Sequence, residues 1–139
     1  MSWLLDTNVL SELRKRERCN PNVAAWFAEV LDDDIYLSVL VIGEIRRGIE
    51  SIRRRDARAA SSLELWLRRL VADHEDRILP VDQRIAEEWG RISVPSRPPS
   101  VDGLLAATAR VHGLTLVTRN VADVRRTGVL FKNPFLAIT

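Results

Sequence analysis

Five short, mostly apolar runs are spread along the chain: Trp3–Leu5, Ile35–Ser38, Ile78–Val81, Thr115–Thr118 and Val129–Phe131. Each is too brief for a helix. Their continuous rather than alternating apolar character marks strands covered on both faces. Stretches of helical periodicity lie between the first four. Alternation of this kind predicts an α/β fold, with a central, mainly parallel β-sheet of about five strands flanked by helices. Thr7 and Asn8 are the expected caps of a first helix through Val9, Leu10 and Leu13. Asn20-Pro21 opens a second, through Trp26, Phe27 and Val30, closed by Asp32-Asp33-Asp34. Ser38 is placed to cap a third, whose stripe is Ile42, Ile45, Ile49 and Ile52. A fourth carries Leu63, Trp66, Leu67 and Leu70. Asp82 caps a fifth, with Ile85, Ala86 and Trp89 inward. Ser100 caps the last long helix, which runs through Leu104, Leu105 and Ala109 to Gly113, a residue suited to the left-handed position after a helix.

A length of 139 residues fits one domain, 1–139, large enough to bury a core. No apolar run approaches the ~20 residues that cross a bilayer, and no basic leader precedes an apolar stretch. The expected location is the cytoplasm, away from membranes. The single cysteine, Cys19, excludes an intramolecular disulfide and a cysteine-based zinc site. Net charge is only +2, but the 21 basic residues are clustered, and all except Lys15 and Lys132 are arginine. Clusters fall at Arg14-Lys15-Arg16, Arg46-Arg47, Arg53-Arg54-Arg55 and Arg68-Arg69. The planar guanidinium fork suits phosphate, so a polyanionic partner competes with the alternative of solvated helix faces.

The acids narrow the chemistry. Asp6 ends the first strand, and ligands in open parallel sheets bind just beyond the carboxyl ends of strands. Glu44 stands inside the apolar segment Val39-Leu40-Val41-Ile42-Gly43-Glu44-Ile45, so it is expected to face the protein body or a cleft. Asp102 opens the helix after Ser100. Asp123 follows the strand Thr115–Thr118. Taken singly, each also reads as a first-turn acid complementing a helix dipole. Together at one sheet edge they repel one another unless a cation intervenes. Oxygen donors without histidine or cysteine favour Mg2+, with Mn2+ the alternative. Carboxylate-held metal beside arginine points to phosphodiester hydrolysis, in which the metal activates water.

The ordered segments Leu5-Asp6-Thr7-Asn8-Val9-Leu10-Ser11-Glu12, Gly43-Glu44-Ile45-Arg46-Arg47-Gly48, Asp102-Gly103-Leu104-Leu105-Ala106-Ala107 and Leu116-Val117-Thr118-Arg119-Asn120 resemble the PIN-domain ribonucleases. More narrowly, the chain is similar to VapC-type toxins of the FitB-like kind, including its Asn133-Pro134-Phe135 ending. The resemblance implies a metal-dependent endoribonuclease toxin that cleaves RNA until a cognate antitoxin blocks it. It also implies a homodimer, with operator DNA bound only through the antitoxin complex. Asp6, Glu44 and Asp102 would hold magnesium, Asp6 and Asp102 most directly. Thr7 and Asn8 would shape the first strand's edge, and Thr118 would line the site. Where many relatives carry a fourth acid this chain has Asn120; either its amide oxygen or Asp123 would complete the set. Arg119 and Arg97 are the expected contacts to the RNA backbone. The alternative is a binding and regulatory module of the same fold, its metal site weakened at Asn120. A phosphatase-like use of Asp6 as a nucleophile is disfavoured, because Asn8 stands where a second Asp would be needed.

His74 is expected to be solvated in a polar turn, and His112 to complement a helix C-terminus. Trp26, Trp66 and Trp89 fall on apolar stripes and read as core, while Trp3 suits a domain edge or dimer contact. Cys19 has no histidine near it in sequence and is not expected to be a nucleophile.

Overall fold

The computed structural model describes residues 1–137. Five strands, β1 (Trp3–Leu5), β2 (Ile35–Ser38), β3 (Ile78–Leu79), β4 (Thr115–Val117) and β5 (Phe131–Lys132), form one sheet in the order β3-β2-β1-β4-β5. Every neighbouring pair is parallel. Seven helices cover it: α1 (Thr7–Leu13), α2 (Pro21–Ala28), α3 (Val39–Arg53), α4 (Ala57–Asp73), α5 (Gln83–Ile92), α6 (Ser100–His112) and α7 (Val121–Val124). The expected α/β architecture is the observed one.

The sheet is covered on both faces, so its central strands are mostly apolar: Leu4, Leu5, Leu37 and Val117 are fully buried. After β1 the chain steps outward on one side, through β2 to β3. It then returns to place β4 on the other side of β1. The reversal opens a crevice beyond the carboxyl ends of β1 and β4, where ligands bind in sheets of this kind. The register aligns Leu5 with Val117, so Asp6 and Thr118 leave the sheet side by side.

Several local expectations needed correction. The cap of α1 is Asp6, whose side chain accepts the Thr7 N–H, rather than Thr7 or Asn8. Pro99 occupies the cap of α6 without a side-chain bond, and Ser100 is already helical. The edge strand β3 stops at Leu79, and β5 is shifted to Phe131–Lys132. Trp89 is 37% exposed rather than core. His74 is buried, not solvated: its ring nitrogen Nδ1 lies 2.9 Å from the Leu70 carbonyl. Beside it the buried Arg77 guanidinium donates to the backbone carbonyls of Asp32, Ile35 and Asp73. Trp26 is core as expected, and Trp3 meets it edge to face at 5.3 Å. Gly113, at φ 68°, ends α6 in the left-handed position.

The arginine clusters divide. Arg46 and Arg53 pair with Glu50 and Glu64, and Arg68 also reaches Glu64, lacing α3 to α4. Arg110 and Arg91 pair with Glu88 between α5 and α6. These charges hold helices together.

Candidate active site

Asp6 follows the carboxyl end of β1, beside Thr118 at the end of β4, and is 4% exposed. Its backbone N–H completes the sheet by donating to the Val117 carbonyl at 2.9 Å, which fixes the position of the carboxylate. Oδ1 accepts the Thr7 N–H at 2.7 Å. Oδ2 accepts the Thr118 hydroxyl at 2.7 Å and the Asn8 side-chain amide at 3.3 Å. Thr118 in turn accepts the Asn120 N–H at 3.0 Å, so its one hydroxyl proton is aimed at Asp6.

Glu44 projects from the first turns of α3 and accepts the Thr7 hydroxyl at 2.7 Å. Asp102 stands in the first turn of α6 and is half-buried. Gly103, next to it, lets Trp89 and Pro98 lie against that turn. A Cβ there would sit 3.1 Å from both side chains. The α6 terminus, and with it Asp102, is therefore held by tight packing.

The electrostatics bind the acids into one group. Asp102 has its pKa pushed up to about 6, first by burial and then by the charges of Asp6, Asp123 and Glu44, with the Asn120 side chain opposing. Burial raises Asp6 as well, against its hydrogen bonds from Thr118 and Thr7, and Glu44 adds to the rise. Carboxylates whose charges raise a neighbouring carboxyl form a concentration of negative charge that suits a cation. Three oxygen-donor side chains suit a hard divalent ion in charge and donor type. Among the described residues no three of Asp, Glu, His or Cys are close enough together, as they stand, to share one ion. The fit is thus one of donor chemistry and charge.

The remaining predicted residues surround this group. Asn120 faces Asp102. Asp123 is exposed on α7 and acts on Asp102 through its charge. Asn8 bridges the rim, donating to Asp6 and accepting the Arg119 N–H at 3.2 Å. Arg97 is farther out. With Asp123, Arg126 and Thr127 it lines a 260 Å³ pocket between the 95–99 loop and α7. Cys19 is partly buried, its thiol pushed up chiefly by burial, as befits an unreactive side chain. Sequence reasoning did not find the packing of Trp89 on Gly103 or the contact of Phe135 with Arg119. The first had a visible signal, a glycine inside an otherwise good helix.

Comparison with known proteins bears on the fold and the family. Residues 3–129 match the PIN domain family. The chain is 32% identical to Toxin FitB of Neisseria gonorrhoeae, over 95% of this chain and 97% of that one. It is 29% identical to the VapC ribonuclease Y4jK of Sinorhizobium fredii, over 95% and 96%. The structure of FitAB bound to an IR36 DNA fragment superposes with a TM-score of 0.88 at 29% identity, covering 99% of this chain and 98% of that one. A five-stranded parallel sheet, acids gathered at its switch point and a family match along nearly the whole chain lead to one assignment: this chain belongs to the PIN-domain family.

Proposed function

We propose that the protein is a magnesium-dependent endoribonuclease, the toxin of a toxin–antitoxin pair acting in the cytoplasm. The observation that carries this reading is that Thr7 bonds both Asp6 and Glu44 at the end of β1, close enough to Asp102 for their charges to raise its pKa. Similarity to a relative named as a ribonuclease supports the reaction class. Asp6, Glu44 and Asp102 would hold the ion. Bound there, a divalent cation supplies a water nucleophile at neutral pH and offsets charge on the phosphate. The chain's own part is orientation. Thr118 and the Thr7 N–H fix the two oxygens of Asp6, the Thr7 hydroxyl fixes Glu44, and the Gly103–Trp89 packing fixes Asp102. Arg119 and Arg97, both exposed near the cleft, would contact the RNA backbone. The likeness to Toxin FitB and to FitAB bound to a DNA fragment supports a cognate antitoxin and operator DNA reached through the antitoxin complex, and a homodimer is proposed with them.

Mapping cleavage sites on total RNA with magnesium, against Asp6→Asn as the blank, tests the reading. Asp6→Asn or Asp102→Asn abolishes cleavage with the fold intact; full metal-dependent activity in both would overturn it. Asn120 in place of an acid favours the second reading, a binding module. In that case magnesium titration gives RNA affinity without cleavage.

A further inference from the structure

The ending Asn133-Pro134-Phe135 has no role in the site described so far, yet the structure folds it back onto the rim of the acidic cleft. The Asn133 side chain accepts the Phe135 N–H at 3.0 Å, which sets a tight turn around the buried Pro134. The Phe135 carbonyl accepts the Asn22 side-chain amide at 2.9 Å, tying the turn to the start of α2. That end of α2 is itself anchored to α1, because Glu12 accepts the Asn20 N–H at 2.8 Å. The Phe135 ring therefore has a fixed place. Over it lies the Arg119 guanidinium, 4.6 Å from the ring centroid. The Arg119 backbone is pinned separately by its N–H bond to Asn8, the residue that also reaches Asp6. Among the described residues Arg119 makes no ion pair, and its guanidinium donates no hydrogen bond. Five helix arginines, Arg46, Arg53, Arg68, Arg91 and Arg110, are committed to glutamates. Arg119 is held instead by a π-face, which orients the cation and leaves its five N–H donors unused.

We propose that Phe135 is a positioning residue: its ring holds the Arg119 guanidinium at the mouth of the cleft, ready to take a phosphate of single-stranded RNA. This rests on the reading of the cleft as an RNA site. An arginine immobilised beforehand loses less side-chain freedom when the phosphate arrives. The ring supplies that restraint without neutralising the charge, which a carboxylate partner would do.

The test is equilibrium binding of a labelled, mixed-sequence single-stranded RNA, in chelator and over a series of salt concentrations. Phe135→Leu keeps the bulk and removes the π-face, and it weakens binding about two- to fivefold. Phe135→Tyr keeps the ring and binds like the unmodified protein. Arg119→Ala weakens binding at least as much and lowers the salt slope by about 0.7, the share of one phosphate on a single strand. In the Arg119→Ala background Phe135→Leu adds nothing. An equal loss from Phe135→Leu in that background, or no loss from it where Arg119→Ala weakens binding, would overturn the proposal. Magnesium-dependent cleavage is scored in parallel on the same proteins. The binding pattern without any cleavage removes the nuclease reading and leaves Phe135 in its role; cleavage without the binding pattern does the reverse.

Discussion

Thr118 donates its hydroxyl to Asp6 Oδ2 at 2.7 Å across the seam between β4 and β1. The two residues are 112 positions apart, and both are buried. Thr118→Val removes the donor while keeping the shape. A hydrogen bond to a charged group contributes about 1.5–3 kcal/mol, so unfolding by denaturant should show a loss of that order. RNA cleavage should fall about 10- to 100-fold, as when a supporting partner of a metal ligand is removed. Thr118→Ser should restore most of both.

Asp102 makes the metal-free protein sensitive to pH in a defined direction. Its folded-state pKa is raised, so the folded chain holds the proton more tightly than the unfolded chain does. The stabilisation this gives is complete below its ordinary 3.8 and is lost as the pH rises through about 6. Asp102→Asn removes the penalty of the ionised form. Thermal melts in chelator should show the variant gaining on the unmodified protein between about pH 4 and about pH 7.5. Magnesium at the upper pH should raise the melting temperature of the unmodified protein and leave Asp102→Asn nearly unchanged. A difference between the two proteins that stays constant with pH would contradict the electrostatic account.

Gly103→Ala should destabilise the protein despite alanine's better helix propensity. The added Cβ would lie 3.1 Å from Pro98 Cγ and from Trp89 Cδ1, so the indole has to move. Overpacking of this kind costs about 1–3 kcal/mol, against about 1 kcal/mol gained from propensity. Tryptophan fluorescence should shift as Trp89 swings outward. In a Trp89→Leu background the same substitution should cost less, because only the Pro98 contact remains.

Arg16 has φ 52°, a left-handed backbone in a residue with a Cβ. Arg16→Gly relieves that conformation and gives back part of the gain through the freer unfolded chain. The expected net effect is an increase of about 0.5 kcal/mol in chemical denaturation.

What the sequence made legible follows from which interactions are local. β1, β2 and β4 are central strands covered on both faces, so their apolar runs stand out. β3 and β5 lie at the sheet's edges, and their ends were misplaced by one or two residues. The acids were legible because each sits at the end of a strand or the start of a helix. The Thr118–Asp6 bond was not, because it depends on the strand order, which no local pattern encodes. His74 reads as a turn residue in sequence. Only the folded chain shows it buried against the Leu70 carbonyl, beside a guanidinium that gathers three backbone carbonyls.

Strand order also sets a timetable. β1 leaves the ribosome well before its neighbour β4, which begins at Thr115. Translation proceeds at roughly 5–20 residues per second. Until β4 emerges, therefore, one flank of the central strand is bare and Asp6 has no Thr118 to orient it. The acidic cleft closes only once β4 has joined β1, so until then a nascent copy stands beside ribosomal RNA without an assembled centre.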